Sequence, residues 1–297
     1  MADKILIGTS SWTDPTLIKS GKFYPPDVKT PEERLQFYAR HFSLVEVDSS
    51  YYALPSERNA ALWVQRTPDT FVFDIKAFAL FTQHPTQVPA LPKDIRAILS
   101  PEDQKKARVY YRALPEEALN ELWDRFRAAL LPLDSAGKLG AVFFQFPPWF
   151  VPSHANKDYI LSLKDKLPQY PLAVEFRQHT WLDEAHQVET LSFLRENGLS
   201  FTCVDEPQGF KSSVPPVVAA TAPLAVVRFH GRNRENWEKS GLTTAERFRY
   251  LYSEAELQEW VPRIEHLSAT AQEVHALMNN CYEDYAVRNA QQLRMLL

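Results

Sequence analysis

The sequence predicts an α/β fold, a single-domain TIM-type (β/α)8 barrel, and three observations carry that expectation. Short apolar or β-branched runs alternate with longer amphipathic ones, giving eight strand candidates and about as many helices in 297 residues, against roughly 250 for this fold. Most strand candidates are apolar on both parities, as parallel strands covered on both faces should be. The first of them runs into Gly8-Thr-Ser-Ser-Trp12, which is not the Gly-x-Gly-x-x-Gly turn of an open dinucleotide-binding sheet.

The strand candidates are residues 4–8, 44–49, 71–76, 141–146, 172–176, 200–204, 225–229 and 274–279, each rich in Val, Ile or Phe. Between the first two, Thr30 caps a helix that opens with Pro31 at its first position. Another helix starts at Ser56 and runs to about residue 65. Pro115-Glu-Glu leads into 118–130, where Leu119, Leu122, Trp123, Phe126 and Leu130 recur at helical spacing. Further helices are expected at 157–166, 185–196, 253–265 and 283–296, the third opened by the capping box Ser253-Glu-Ala-Glu256. Two connections are long, after the third strand and after the seventh, both on the side where barrels build their sites. The first contains an insertion at about 77–115 with Pro85, Pro89, Pro92 and Pro101, a candidate lid. No linker, repeat or low-complexity tract divides residues 1–297, so one domain is expected.

Composition narrows the function classes. Apolar residues make up 45% and charged residues 24%, which excludes wholesale disorder. With 33 Lys and Arg against 37 Asp and Glu, the chain has no global basic field for sequence-blind binding to nucleic acid or anionic membrane. A local basic pocket stays open. Cys203 and Cys281 each lie in an apolar run and read as reduced, buried thiols. Residues 214–227 are nearly apolar but carry Pro215, Pro216 and Pro223 and fall short of the roughly 20 residues a membrane helix needs. Residues 1–8 lack a secretory apolar region. A cytoplasmic protein without a membrane partner is expected, and no oligomeric state is specified.

In such a barrel the strand ends converge on one basin. Those positions hold Ser10 and Trp12; Glu46, Asp48 and Ser50; Asp74 and Lys76; Gln145; Glu175 and Arg177; Asp205; Arg228, His230 and Arg232; and Asn279 with Asn280. Period-2 geometry places Glu175 with Arg177, and Arg228 with His230, on one face. Charges inside apolar strands cost several kcal/mol by order of magnitude unless paired, so these need partners or a ligand.

An ordered set of motifs carries a resemblance. Gly8-Thr-Ser-Ser-Trp12 with Phe23-Tyr-Pro25, Glu46-Val-Asp-Ser-Ser-Tyr-Tyr52, Phe73-Asp-Ile-Lys76, Gly140-Ala-Val-Phe-Phe-Gln-Phe-Pro-Pro148, Val174-Glu-Phe-Arg177 with Trp181, Arg228-Phe-His-Gly231 and Asn279-Asn280 occur in sequence. Together they resemble domain-of-unknown-function family 72, the YecE-like proteins, over essentially the whole chain. The resemblance implies a TIM-type barrel akin in shape to the sugar-isomerase and endonuclease-four-like barrels, and no established activity. Ser11 stands where relatives often carry Gly, and Asp74 where they are usually apolar. The Asp74 carboxylate is expected to pair Lys76.

Each candidate has two readings. Glu175 and Arg177 form either a structural ion pair or an acid–base carboxylate beside an anion-gripping guanidinium. His230, next to Arg228, is either a neutral proton-transfer group or a histidine satisfied by a carboxylate. Lys76 is a carboxylate- or phosphate-facing lysine, or a Schiff-base nucleophile if burial lowers its pKa. Glu46, Asp48, Asp205 and His230 could hold one weakly bound Mg²⁺ or Mn²⁺, though no spacing commits them to it. Asn279 and Asn280 orient a ligand or tie the last strand to the first. Trp12, Tyr24, Tyr51 and Trp149 are partly core, yet such aromatics also form stacking walls.

The favoured expectation is an enzyme for a small anionic substrate. In it Glu175 and His230 move protons, while Trp12, Glu46, Lys76, Gln145, Arg177, Asp205, Arg228, Asn279 and Asn280 bind. The alternatives are an endonuclease-four-like phosphodiesterase acting on nucleic acid and a non-catalytic binding protein. Of 8 histidines only His230 falls at a strand's C-terminal end, which speaks against a multi-zinc site.

Overall fold

A computed structural model describes residues 4–297. Eight strands close into a parallel barrel: β1 (Ile5–Thr9), β2 (Leu44–Val47), β3 (Val72–Lys76), β4 (Leu139–Gln145), β5 (Leu172–Glu175), β6 (Ser200–Asp205), β7 (Leu224–Phe229) and β8 (Glu273–Met278). They neighbour one another in chain order, and β8 pairs with β1. The expected barrel is therefore present, every strand within two residues of its expected bounds. Among the described residues no helix is long and apolar enough to cross a membrane.

Helices α1 (Pro31–Ala39), α2 (Glu57–Gln65), α3 (Glu116–Ser135), α4 (His154–Lys166), α5 (Gln187–Glu196), α6 (Val261–Thr270) and α7 (Tyr285–Leu296) surround it. The Thr30 hydroxyl accepts from the Glu33 N–H while Glu33 reaches back to the Thr30 N–H, so α1 starts where the sequence indicates. The helix expected over 253–265 is two pieces instead. Ser253 caps Glu254–Gln258 with its capping box, and α6 restarts at Val261. Pro262 has no N–H to bond one turn back, so it breaks the first piece and suits the first turn of the second.

Two cores result. Leu6, Leu44, Ala141, Phe143, Ala173, Leu224, Val226 and Leu277 fill the barrel, and a larger cluster lies between strands and helices. At the N-terminal end of the lumen, His275 Nδ1 lies 2.9 Å from Asp74 Oδ2 and its Nε2 3.1 Å from Glu273 Oε1. Burial opposes charge on His275, but the Asp74 and Glu273 carboxylates outweigh it and hold its pKa up at about 9. Asp74 therefore pairs His275 and not Lys76, whose Nζ lies 2.8 Å from Asp48 Oδ1. Gly140 makes room for this group: a Cβ there would lie 2.5 Å from Asp74 Oδ1 and 2.7 Å from His275 Cε1.

The two long connections differ in where they go. In the segment after β3, Phe81 stacks on Trp123 of α3 with ring centroids 3.7 Å apart, and Asp94 pairs Arg125 of α3. Part of it thus packs against the helical layer, while its first residues, to His84, border the barrel mouth. The connection from β7 to α6 supplies the cover, through Trp237 and Phe248. Gly231 starts it with φ 84°, where a Cβ would also meet Tyr250 Cβ at 2.7 Å.

Candidate active site

Glu46, Glu175 and Arg228 point inward near the C-terminal ends of β2, β5 and β7, all fully buried. Arg228 ties the other two together. Its Nε donates to Glu46 Oε2 at 2.9 Å and its Nη2 to Glu46 Oε1 at 2.8 Å, while Nη1 donates to Glu175. The Ser10 hydroxyl adds a bond to Glu46 Oε2 at 3.1 Å. Burial pushes the Glu46 carboxyl above its ordinary range against the pull of Arg228. Glu175 meets the same burial, but Arg228, His230 and Arg177 together outweigh it and keep it well below the usual carboxylate range.

His230 and Arg177 extend the network towards solvent. His230 Nε2 lies 3.0 Å from Glu175 Oε1, and its Nδ1 lies 2.8 Å from Asn279 Nδ2. Burial, with Arg177 and Arg228 nearby, lowers the His230 pKa to about 3 despite Glu175. The neutral ring then donates from Nε2 to Glu175 and accepts from Asn279 at Nδ1, so neither nitrogen is a free base. Arg177 Nη1 is 3.2 Å from Glu175 Oε1 and 3.5 Å from Glu206 Oε2. Glu206, only 3% exposed, accepts from the Val214 N–H through Oε1, whereas its Oε2 has no hydrogen bond. Burial, eased by Arg177, raises its pKa to about 8, so near neutrality it carries a proton.

The basin thus brings together Glu46, Lys76, Glu175, Arg177, Arg228, His230 and Asn279. Gln145 is in register with Glu175 and joins that face. Trp237 lies over the Arg177 guanidinium, 4.6 Å from ring centroid to Cζ, and Phe248 lies 5.9 Å from His230. Beside them a cavity of about 260 Å³ is lined by Ser10, Ser11, Asp48, Tyr52, Phe248 and Asn279, among others. A larger one, about 570 Å³, lies at the opposite end among Ile5, Phe42, Phe71 and Arg294 and touches none of these groups.

Three expected members lie elsewhere. Asp205 is in register with Phe229, which packs on Tyr252 and Trp260 in the outer layer. Its carboxylate binds Arg232 in a fork, the Tyr252 hydroxyl at 2.7 Å and Trp260 Nε1 at 2.7 Å. Trp12 is core: it packs edge-on against Trp63 and Phe73, on the outward parity of β3. Asn280 donates to the Tyr250 carbonyl and to Asn289 of α7, tying β8 to the helical layer.

The comparisons with known proteins agree with this architecture. Residues 6–297 match the family described as protein of unknown function DUF72. The chain belongs to that family. A Bacillus subtilis relative, UPF0759 protein YunF, is 34% identical over 99% of this chain and 94% of its own. UPF0759 protein YecE of Escherichia coli is 24% identical over 78% of this chain and 77% of its own. Among solved structures, a DUF72 family protein from Thermotoga maritima has a TM-score of 0.77 and 30% identity, with 99% of each chain covered. One from Enterococcus faecalis has a TM-score of 0.78 and 28% identity, over 99% of this chain and 95% of that one.

In this DUF72 barrel Glu206 is the member that sequence reasoning misses. β6 mixes polar and apolar residues on both parities, so nothing in Thr202-Cys-Val-Asp-Glu206 says which carboxylate turns inward. Only the register of Val204 with Arg228 decides it. The divalent-cation set expected of Glu46, Asp48, Asp205 and His230 is not assembled, because Asp205 faces outward and both Glu46 oxygens bind Arg228. Among the described residues no three His, Cys, Asp or Glu side chains converge as metal ligands. Elemental analysis after dialysis without chelator should find well under one zinc per chain. Two or more would revive the phosphodiesterase expectation.

Proposed function

We propose that the mouth binds a small anion-bearing substrate and acts on it by acid–base chemistry. One observation carries this reading: the balance of buried charge. Arg177, Arg228 and Lys76 face Glu175 and Asp48, while Glu46 and Glu206 are pushed upward and Glu206 is mainly protonated below about pH 8. Near neutrality Glu46 is only partly ionised, so the three cations outnumber the ionised carboxylates by a fraction of a charge, which an anion would meet. Arg177 and Lys76, 8% and 9% exposed, are the cations within reach of solvent. Glu206 carries a proton on a carboxyl whose Oε2 is unengaged, and Glu175 stays ionised. Carboxyl groups pushed apart in this way suit one to donate and the other to stabilise positive charge. His230, held between Glu175 and Asn279, fixes the carboxylate's position.

Inorganic phosphate and small phosphorylated or carboxylated compounds should raise the melting temperature. Saturation at a hundred times Kd corresponds to about 2.7 kcal/mol. Arg177→Ala should abolish the rise. Affinity should fall as pH passes about 8, where Glu206 loses its proton and adds a negative charge beside the ligand. No response across a broad anion panel would reject the reading.

A further inference from the structure

The basin is bordered by an aromatic shelf that the acid–base network does not use. Tyr52, Tyr51, His84 and Trp149 follow one another at centroid separations of 5.1, 5.3 and 5.8 Å, each pair close to edge-on. The shelf comes from three separate places in the chain: the turn after β2, the start of the insertion and the loop after β4. Its middle is held in place. The Thr82 hydroxyl donates to the Ala79 carbonyl, so it accepts from His84 Nδ1, 2.8 Å away. Its ends are open, with Tyr52 54% and Trp149 57% exposed. A single exposed aromatic needs no explanation, but two at the ends of one shelf beside buried cations form a patch with a direction.

Cations stand along it. Lys76 Nζ lies 4.8 Å from the Tyr51 ring centroid. Burial lowers the His84 pKa to about 3, and Lys76 and Arg177 add to the effect, so both cations lie within electrostatic reach of this ring. A neutral imidazole and three flanking rings offer π faces and little charge. Lys76 and Arg177 offer the charge. A ligand satisfying both has a flat ring at one end and an anionic group at the other.

Resting on the proposed anion-binding reading, we infer that the substrate class is nucleotide-like: a planar aromatic base stacked on Trp149 at the open end of the shelf, its phosphate on Lys76 and Arg177. A bare sugar phosphate would satisfy the cations and leave the shelf empty. Base–aromatic stacking is worth about 1–3 kcal/mol per base, which corresponds to a preference of roughly fivefold or more.

Calorimetric titration of the full chain with inorganic phosphate, ribose 5-phosphate, adenosine 5′-monophosphate and adenosine tests this directly. The nucleotide should bind at least roughly fivefold more tightly than ribose 5-phosphate. Trp149→Ala should erase that ratio and Trp149→Phe should keep most of it. Because Trp149 is exposed, both variants should melt as the unmodified protein does, a control for folding. Equal affinity for the nucleotide and ribose 5-phosphate, or a ratio that survives Trp149→Ala, overturns the shelf assignment and leaves anion binding standing. Adenosine binding as tightly as its monophosphate overturns the two-ended ligand. If neither phosphate nor any phosphorylated probe binds, the anion-binding reading falls and takes this inference with it.

Discussion

Alanine at Arg228 is expected to cost about 3–5 kcal/mol of folding stability, the usual result of leaving buried partner charges uncompensated. Domains of ordinary stability have only about 5–15 kcal/mol in total, so the variant should be close to unfolding at physiological temperature. Arg228 is fully buried, binds Glu46 through two nitrogens and Glu175 through a third. Removing it strands two carboxylates in the lumen. They would respond by taking up protons, so the variant should regain stability towards acid pH. Adding Glu46→Gln and Glu175→Gln should recover much of the loss, because a lumen with no charge to compensate carries no such penalty. Urea midpoints of the single and triple variants measure both effects. A loss below about 1 kcal/mol for Arg228→Ala would mean that the pairing is nearly neutral for stability.

The second large effect concerns pH and the far end of the lumen. His275 has a folded pKa of about 9 against an ordinary 6.5. A cation held more tightly in the folded state stabilises it fully below the unfolded pKa, and that contribution disappears as pH rises through the folded one. The protein should therefore lose on the order of 3 kcal/mol between about pH 6.5 and 9.5 from this residue. Glu46 and Glu206, also raised, bind protons in the folded state and act in the same direction, but Glu206 has finished near pH 8. Asp74→Asn isolates the histidine. It should lower stability near pH 6.5 and flatten the decline between pH 8 and 9.5. Parallel stability curves for the two proteins above pH 8 would show that His275 is not charged in the folded state.

The barrel was legible in the sequence because eight strands buried on both faces leave eight apolar runs, and hydrophobic periodicity reports that pattern directly. Glu46, Glu175, Arg177, Arg228 and His230 stand out for the converse reason: charges inside such runs are conspicuous. Their partners are less so. Asp74 is two residues from Lys76 on one parity, yet it meets His275, 201 residues away, because strand closure and not chain proximity sets the lumen's neighbours. Asp205 stands out and Glu206 does not because a strand with polar and apolar residues on both parities hides which one faces in. Trp237 and Phe248 lie in a connection whose length was visible, while its path over Arg177 depends on contacts that no local pattern encodes.

The fork between Asp205 and Arg232 has a kinetic consequence. Asp205 also holds Tyr252, whose hydroxyl in turn accepts from the Gly231 N–H. One carboxylate thus pins the connection at both ends, just after β7 and again before α6, with Trp237 and Phe248 on the arc between. That arc covers Arg177 and His230, and it is tied as well to the connection after β6 through Ser212 with Glu238 and Arg234 with the Gln208 carbonyl. Under the proposed anion binding, ligand residence time would then follow the movement of some twenty residues on the microsecond-to-millisecond scale of such flaps. Loosening its pins, as in Asp205→Asn, would quicken escape from a pocket whose lining is unchanged.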